Sequence, residues 1–232
     1  MAAIADYVAD LVPDGATLQL GVGAIPDAVT NALRSRRDLG LHGGLVTDGC
    51  RRLAEAGVLT NAEKAFDQGV SVTAEAMGTH ALYQWLHRNP TVRFVEAGTS
   101  HGLATLQRCH RLVAINSAIE VALDGSVNAE VIGGRIVSGP GGQPDFAAAA
   151  AAAPGGRSII AFPATSGDGR HSRIVPRLEP GTPATVPRYL ADRIVTEHGV
   201  ASLRWLDLAG RAAALTAIAA PEFRVGLQNA RA

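Results

Sequence analysis

Aromatic side chains are scarce in this sequence: Phe, Trp and Tyr make up 4% of its 232 residues. A core must therefore be aliphatic and alanine-rich, and 47% apolar against 18% charged residues supplies one. Cysteine is almost absent. Cys50 and Cys109 form no disulfide framework and stand in no paired metal-ligand spacing, so both read as buried thiols, with a reducing cytoplasm as the default compartment. Net charge is absent too: 21 basic residues balance 21 acidic ones with no basic cluster, which argues against a nucleic-acid partner. No apolar run approaches the roughly 20 residues that span a bilayer, and the N-terminus lacks a basic-then-apolar signal pattern, so no membrane association is expected. The 7 histidines are scattered without HExxH-type pairing, and no metal site is expected.

Glycine is abundant, with 26 residues in concentrated places. The stretch INSAIEVALDGSVNAEVIGGRIVSGPGGQPDF, residues 115–146, carries two strand-like runs that end in glycine-rich turns. Its last turn, Gly139-Pro140-Gly141-Gly142-Gln143, has too little side chain to build a core and runs into a helix start at Asp145-Phe146. Densely placed glycines let another group approach backbone N–H donors, so strand, turn and helix N-terminus make a cradle for a phosphate, a carbonyl oxygen or an oxyanion. A tight surface connection explains the same glycines equally well. A second place of this kind is Gly21-Val22-Gly23-Ala24-Ile25, after the strand Ala16–Leu20 and before a helix from Asp27 to Arg37. It lacks the third glycine and the spaced acidic residue of a dinucleotide fingerprint.

Taken in order, the periodicity predicts helices over 2–11, 50–56, 78–87, 102–109 and 206–220, and strands over 41–47, 71–77, 92–95, 112–121, 157–164 and 193–197. Short edge strands are expected at 172–176 and 184–187, and a polar loop at 165–170. Alternation of this kind predicts an α/β fold, a mostly parallel sheet flanked by helices. With no internal repeat and no long linker, one domain is expected over residues 1–232. On the 41–47 strand, His42 and Gly44 lie two residues apart and are expected on one face. Two adjacent glycines in a buried strand are costly unless something approaches closely there.

LQLGVGAIPDAV, LGLHGGLVTDG, the INSAIEV to GGQPDF stretch, SRIVP and VTEHGVA together resemble the C-terminal half of the acetyl-CoA hydrolase/transferase family, which includes the 4-hydroxybutyrate and succinyl-CoA:acetate CoA-transferases. The resemblance runs from about residue 3 to residue 225. It implies the class I CoA-transferase fold, with this chain as the second of two halves. It also implies an acyl-CoA substrate and no tightly bound cofactor. Gly21, Val22, Gly23, Ala24 and Ile25 would contact CoA. Gly139, Gly141, Gly142 and Gln143 would line the acyl thioester and offer backbone N–H groups to its oxygen. Arg173, Glu197 and His198 would support or line the cleft, and Glu130 would be a hydrogen-bonding anchor rather than a nucleophile.

The sequence departs from the family at one decisive position. Family transferases carry a glutamate on the LHxE strand, which attacks the acyl-CoA carbonyl and becomes a glutamyl-CoA thioester. Here that position is Gly44, and no other carboxylate adjoins it on the strand. The expected activity is a CoA thioester enzyme on a short-chain acyl-CoA, a hydrolase or CoA-transferase. In the hydrolase form His42 would be the base that activates water beside Gly44, or it would merely orient the strand. The alternative is a non-catalytic CoA-binding or assembly subunit. In either case a homo-oligomer or a separate N-terminal-half subunit is expected to complete the cleft, with a small carboxylate as possible second substrate.

Overall fold

The computed structural model describes residues 1–230. The chain opens with α1 (Ala2–Asp10), whose Ile4 and Val8 are one turn apart and buried on the same face. β1 (Thr17–Leu20) is buried along its whole length. α2 (Ala24–Ala32) starts directly on the glycine turn, three residues earlier than the periodicity predicts, and ends in a short 3-10 turn at Leu33–Ser35. Gly23 makes this start possible: as N-cap it has φ +114°, a conformation that a side chain resists.

The expected 41–47 strand is two pieces. β2 (Gly40–Leu41) pairs with β1, while β3 (Leu45–Thr47) leaves that sheet and pairs with a different strand. The break falls on His42-Gly43-Gly44, where glycine weakens a ladder. α3 (Asp48–Glu55) follows. The expected 71–77 strand is likewise divided into β4 (Ser71–Thr73) and β5 (Glu75–Met77). β5 pairs with β3 in parallel; β4 pairs with β6 (Val92–Phe94), after α4 (His80–Leu86). Two single-turn helices come next, α5 (Ala97–Ser100) and α6 (Leu103–Leu106).

β7 (Leu112–Asn116) is entirely buried and ends five residues before the expected strand does. β8 (Glu120–Ala122) begins a separate small sheet, in which it lies between β9 (Val127–Asn128) and a later strand. A hairpin of β10 (Val131–Ile132) and β11 (Arg135–Ile136) turns at Gly133-Gly134. α7 (Gln143–Ala152) is the alanine helix, followed by β12 (Arg157–Ala161). β13 (Ile174–Val175) completes the small sheet, whereas the expected 184–187 strand is reduced to a single bridge between Val127 and Val186. β14 (Arg193–Thr196) and β15 (Gly199–Ser202) form an antiparallel hairpin, which adds a strand where the sequence reading ended one. α8 (Leu208–Ala217) is capped by Asp207, whose side chain accepts from the Gly210 N–H, and α9 (Arg224–Asn229) closes the described chain.

The main sheet has six strands in the order β15-β14-β12-β7-β1-β2, parallel everywhere except at β15. Register places Leu20 beside Ile115 and Ile115 beside Ile159, so aliphatic side chains stack in rows across the sheet. Strands buried on both faces need such runs. Helices cover both faces, and the main apolar cluster extends from Ile4 in α1 to Leu227 in α9. A smaller cluster lies under α7, where Phe146, Ala149 and Ala150 pack with Leu112, Ala114 and Leu106. Alanine lets α7 sit close to β7, and burying Phe146 contributes about 1.5–3 kcal/mol. Both cysteines are buried and free. Among the described residues no helix is long and apolar enough to cross a membrane, and no acidic, histidine and cysteine cluster could hold a metal ion.

Candidate functional site

From β1 the chain moves to β2 on one side, while β7, β12 and β14 follow on the other. The carboxyl ends of β1 and β7 therefore form the topological switch point, where open α/β sheets leave a crevice. An open cleft of about 900 Å³ lies there, a size suited to a small-molecule ligand.

Its floor is made by two buried amides on adjacent strands. Gln19 Nε2 donates to Asn116 Oδ1 at 3.1 Å, and Asn116 Nδ2 donates back to Gln19 Oε1 at 2.9 Å. The reciprocal pair satisfies polar groups that burial would otherwise penalise. Asn116 Oδ1 lies 3.2 Å from where a Cβ on Gly21 would be, so the first glycine turn leaves the floor just enough room.

The expected CoA-contacting segment divides. Gly21 and Val22 line the cleft. Gly23 lines a neighbouring depression with Val22, Asp48, Arg51 and Arg52. Ala24 is exposed at the start of α2, and Ile25 is in the core rather than at a surface. The second glycine turn holds together better: Gly139, Gly141, Gly142 and Gln143 all line the cleft. Gly141 has φ +54°, Gly142 is the N-cap of α7, and Gln143 Nε2 donates to the Ser117 carbonyl at 3.2 Å. The first turn of α7 thus lines the cleft, but Pro144 has no N–H and the Gln143 N–H donates to the Pro140 carbonyl at 3.3 Å, which leaves the Gly141 and Gly142 N–H groups as the donors nearest the cleft.

Gly44 lines the cleft, but His42 does not. The strand break turns the two residues apart, contrary to the shared face expected from their spacing. His42 is 1% exposed. Its backbone N–H donates to the Leu18 carbonyl, and its ring stands edge-on to Phe66 at 5.7 Å. Neither ring nitrogen has a hydrogen-bond partner, although the Ser100 backbone is near enough to oppose the downward shift a little. Burial, with the Lys64 ammonium beside it, pushes the imidazole down to about 4, so the ring is held neutral. Lys64 is buried as well. Its Nζ donates to the carbonyls of Leu41 and Val70, and burial lowers it to about 8.

What approaches Gly44 is His101, a residue the sequence reading passed over. A Cβ built on Gly44 would lie 2.8 Å from His101 Nε2 and 2.9 Å from Cε1. A Cβ on Gly142, across the cleft, would collide with the same ring. The cleft also contains two carboxylates that were missed, Glu75 and Asp145. Glu75 sits opposite Leu45 in the β3–β5 ladder, beside the Gly44 position in space but distant in sequence. Asp48 is engaged elsewhere: its carboxylate accepts from the Thr79 backbone N–H and hydroxyl, both at 2.7 Å, and the first of these bonds leads in holding it below the usual carboxylate range.

The remaining motif residues are supports. Arg173 Nε donates to the Ile119 carbonyl at 2.7 Å, its Nη2 donates to the Ala118 carbonyl, and its guanidinium lies over the Phe162 ring. It thereby fixes two residues that line the cleft. Glu197 accepts from the Ala164 N–H at 2.9 Å, and His198 Nε2 is 3.9 Å from Glu197. Glu130 accepts from the Thr185 hydroxyl at 2.7 Å and is absent from the cleft lining, as an anchor would be.

A parallel sheet with a ligand-sized cleft at its switch point, floored by amides and walled by two glycine turns, defines an open α/β ligand-binding class. Comparison with known proteins is more specific. Residues 78–231 match the acetyl-CoA hydrolase/transferase C-terminal domain. The chain is 43% identical over 227 residues to 4-hydroxybutyrate coenzyme A transferase of Clostridium kluyveri, with 98% of this chain and 53% of that protein covered. It is 37% identical to butyryl-CoA:acetate CoA-transferase of Anaerostipes caccae, with 96% and 51% covered. The crystal structure of RipA from Yersinia pestis superposes with a TM-score of 0.94 at 39% identity, over 98% of this chain and 51% of that one. The chain therefore belongs to the acetyl-CoA hydrolase/transferase family, and it spans about half the length of the curated relatives it matches.

Proposed function

We propose that this chain forms the acyl-CoA-binding half of a CoA thioester enzyme acting on short-chain acyl-CoA, and that glycine at position 44 turns its chemistry from transfer to hydrolysis. The observation that carries the reading is the cleft itself: Gly44 and the second glycine turn both line it, with no carboxylate at the position where a glutamyl thioester would form. The glycine turn ahead of α7 supports the reading: Pro144 has no N–H and the Gln143 N–H donates to the Pro140 carbonyl, so the backbone N–H groups of Gly141 and Gly142 are the donors offered to a thioester oxygen that gains charge during attack. The Clostridium kluyveri and Anaerostipes caccae relatives named above are CoA transferases by name, and the chain covers about half of each. A second half, from another copy or a separate subunit, would complete the cleft.

The presence of Glu75 in the cleft favours one other reading, a transferase whose nucleophile has moved to β5. Release of free CoA thiol from a panel of short acyl-CoA thioesters, with and without acetate, separates the two. The hydrolase reading expects release without acetate. Release only with acetate, abolished by Glu75→Gln, replaces it with the relocated transferase. CoA binding without release in either condition leaves a non-catalytic binding subunit.

A further inference from the structure

We propose that His101 is the general base of this site, occupying the space where the family's glutamate would project from position 44. The inference rests on the hydrolase reading and names the group that performs it.

His101 is the C-cap of α5 and a lining residue of the cleft. Its ring fills the slot between Gly44 and Gly142. Neither glycine has a positive φ, so backbone conformation does not demand glycine at either place. The imidazole stands against both, because a Cβ on either residue would meet it, with Phe146 Cε2 a further neighbour at Gly142. The loss of a carboxylate at 44 and the presence of a ring against it are one steric arrangement.

His101 Nδ1 lies 2.8 Å from Ser100 Oγ and 3.1 Å from the Ala97 carbonyl. A carbonyl only accepts, so Nδ1 carries the hydrogen, and the Ser100 hydroxyl, which donates to the same carbonyl at 3.3 Å, accepts from it. The tautomer left by these bonds has its lone pair on Nε2, the atom nearest Gly44. Phe146 packs on the ring at a centroid distance of 4.9 Å and limits its swing. A base held by a third group is the arrangement that activates a nucleophile.

The step balances. Nε2 takes a proton from a water, whose oxygen bonds to the thioester carbonyl carbon while the oxyanion faces the Gly141 and Gly142 N–H groups. The tetrahedral adduct collapses with cleavage of the C–S bond. CoA leaves as a thiolate and takes the proton from the imidazolium, giving free thiol and a carboxylic acid.

The test uses the protein assembled with whatever half completes its cleft. His101→Gln is expected to lower kcat for acetate-independent thiol release by about 10²–10⁴-fold, to leave KM for the acyl-CoA nearly unchanged, and to remove the acid limb of the kcat–pH profile. A variant that keeps kcat within about threefold and keeps that limb overturns the role of His101 while the hydrolase reading stands. Absence of acetate-independent release by the unaltered protein, with acyl-CoA still bound, overturns both. Should His101→Gln fail to fold, diethyl pyrocarbonate on the unaltered protein decides. Carbethoxylation located at His101 should abolish release and be blocked by a non-hydrolysable acyl-CoA analogue. Full activity after modification at His101 also overturns the proposal.

Discussion

Two histidines lie on either side of the Gly43-Gly44 break, and their surroundings are opposite. His42 is sealed under the sheet edge, with burial and a neighbouring ammonium holding it neutral and neither nitrogen bonded. His101 is half-buried, with one nitrogen tied to Ser100 and Ala97 and the other turned to the cleft. A base needs a proton path, an orienting partner and a place for the reacting atom. His42 has none of these, and His101 has a partner and an open side. His42 is near Gly44 in sequence and His101 is near it in space, and under the proposed reading only the second kind of nearness counts.

The largest effect would come from returning the carboxylate to the site. Gly44→Glu alone is expected to form no enzyme–CoA adduct, because its Cβ would lie 2.8 Å from Nε2 of a ring held by two hydrogen bonds and Phe146. Gly44→Glu combined with His101→Ala vacates the slot and is expected to yield a glutamyl-CoA thioester, detected as a borohydride-sensitive adduct, with acetate-dependent transfer. If the single variant forms the adduct as readily as the double, the ring does not occupy the glutamate's space. Next in size is Gly142→Ala. Its backbone, at φ −86° and ψ 1°, accepts alanine without strain, so the added methyl acts first on the imidazole and, 3.0 Å from Cε2, on the Phe146 ring packed against it. Displacing the ring should cost roughly tenfold to a hundredfold in kcat, the range expected when a catalytic group is misplaced by about 1 Å. An unchanged kcat would detach the ring from the chemistry.

Most of the sheet was legible in the sequence because the signals are local. TLQL, LVAIN, RSIIA and RIVT are apolar runs between turn residues, and each is a strand of the main sheet. Both glycine turns were legible as places of close approach, and Gly21, Val22 and all five residues of the second turn line the cleft. The break at 42–44 was not legible. A strand reading follows from Leu41, Leu45 and Val46, and only the pairing of β3 with β5 shows that the chain changes sheets there. His101 was hidden for the same reason. The contact with Gly44 crosses more than fifty positions and four strands, and nothing in SHG marks it. Glu75 was passed over because its nearness to position 44 depends on the β3–β5 ladder. The one local clue was the doubled glycine itself, which pointed to a close approach without naming what approaches.

The smallest of these effects is on stability rather than rate, and it tests the buried member of the pair. In the unfolded chain His42 takes up a proton near its ordinary value of 6.5, whereas the folded ring resists until about 4. A lowered folded value means that the stability associated with the neutral ring is fully present above pH 6.5 and is lost as pH falls towards 4. Over that window the unaltered protein should lose on the order of 3 kcal/mol through this residue. His42→Leu fills similar space beside Phe66, has no nitrogen to leave unbonded and cannot titrate. Denaturant unfolding at several pH values between 4 and 7 should show a shallower acid slope for the variant. Carboxylates that titrate in the same range contribute to both proteins and cancel in the difference. Parallel slopes would mean that His42 already finds a proton partner in the folded chain, which would remove the contrast with His101 on which the assignment of roles depends.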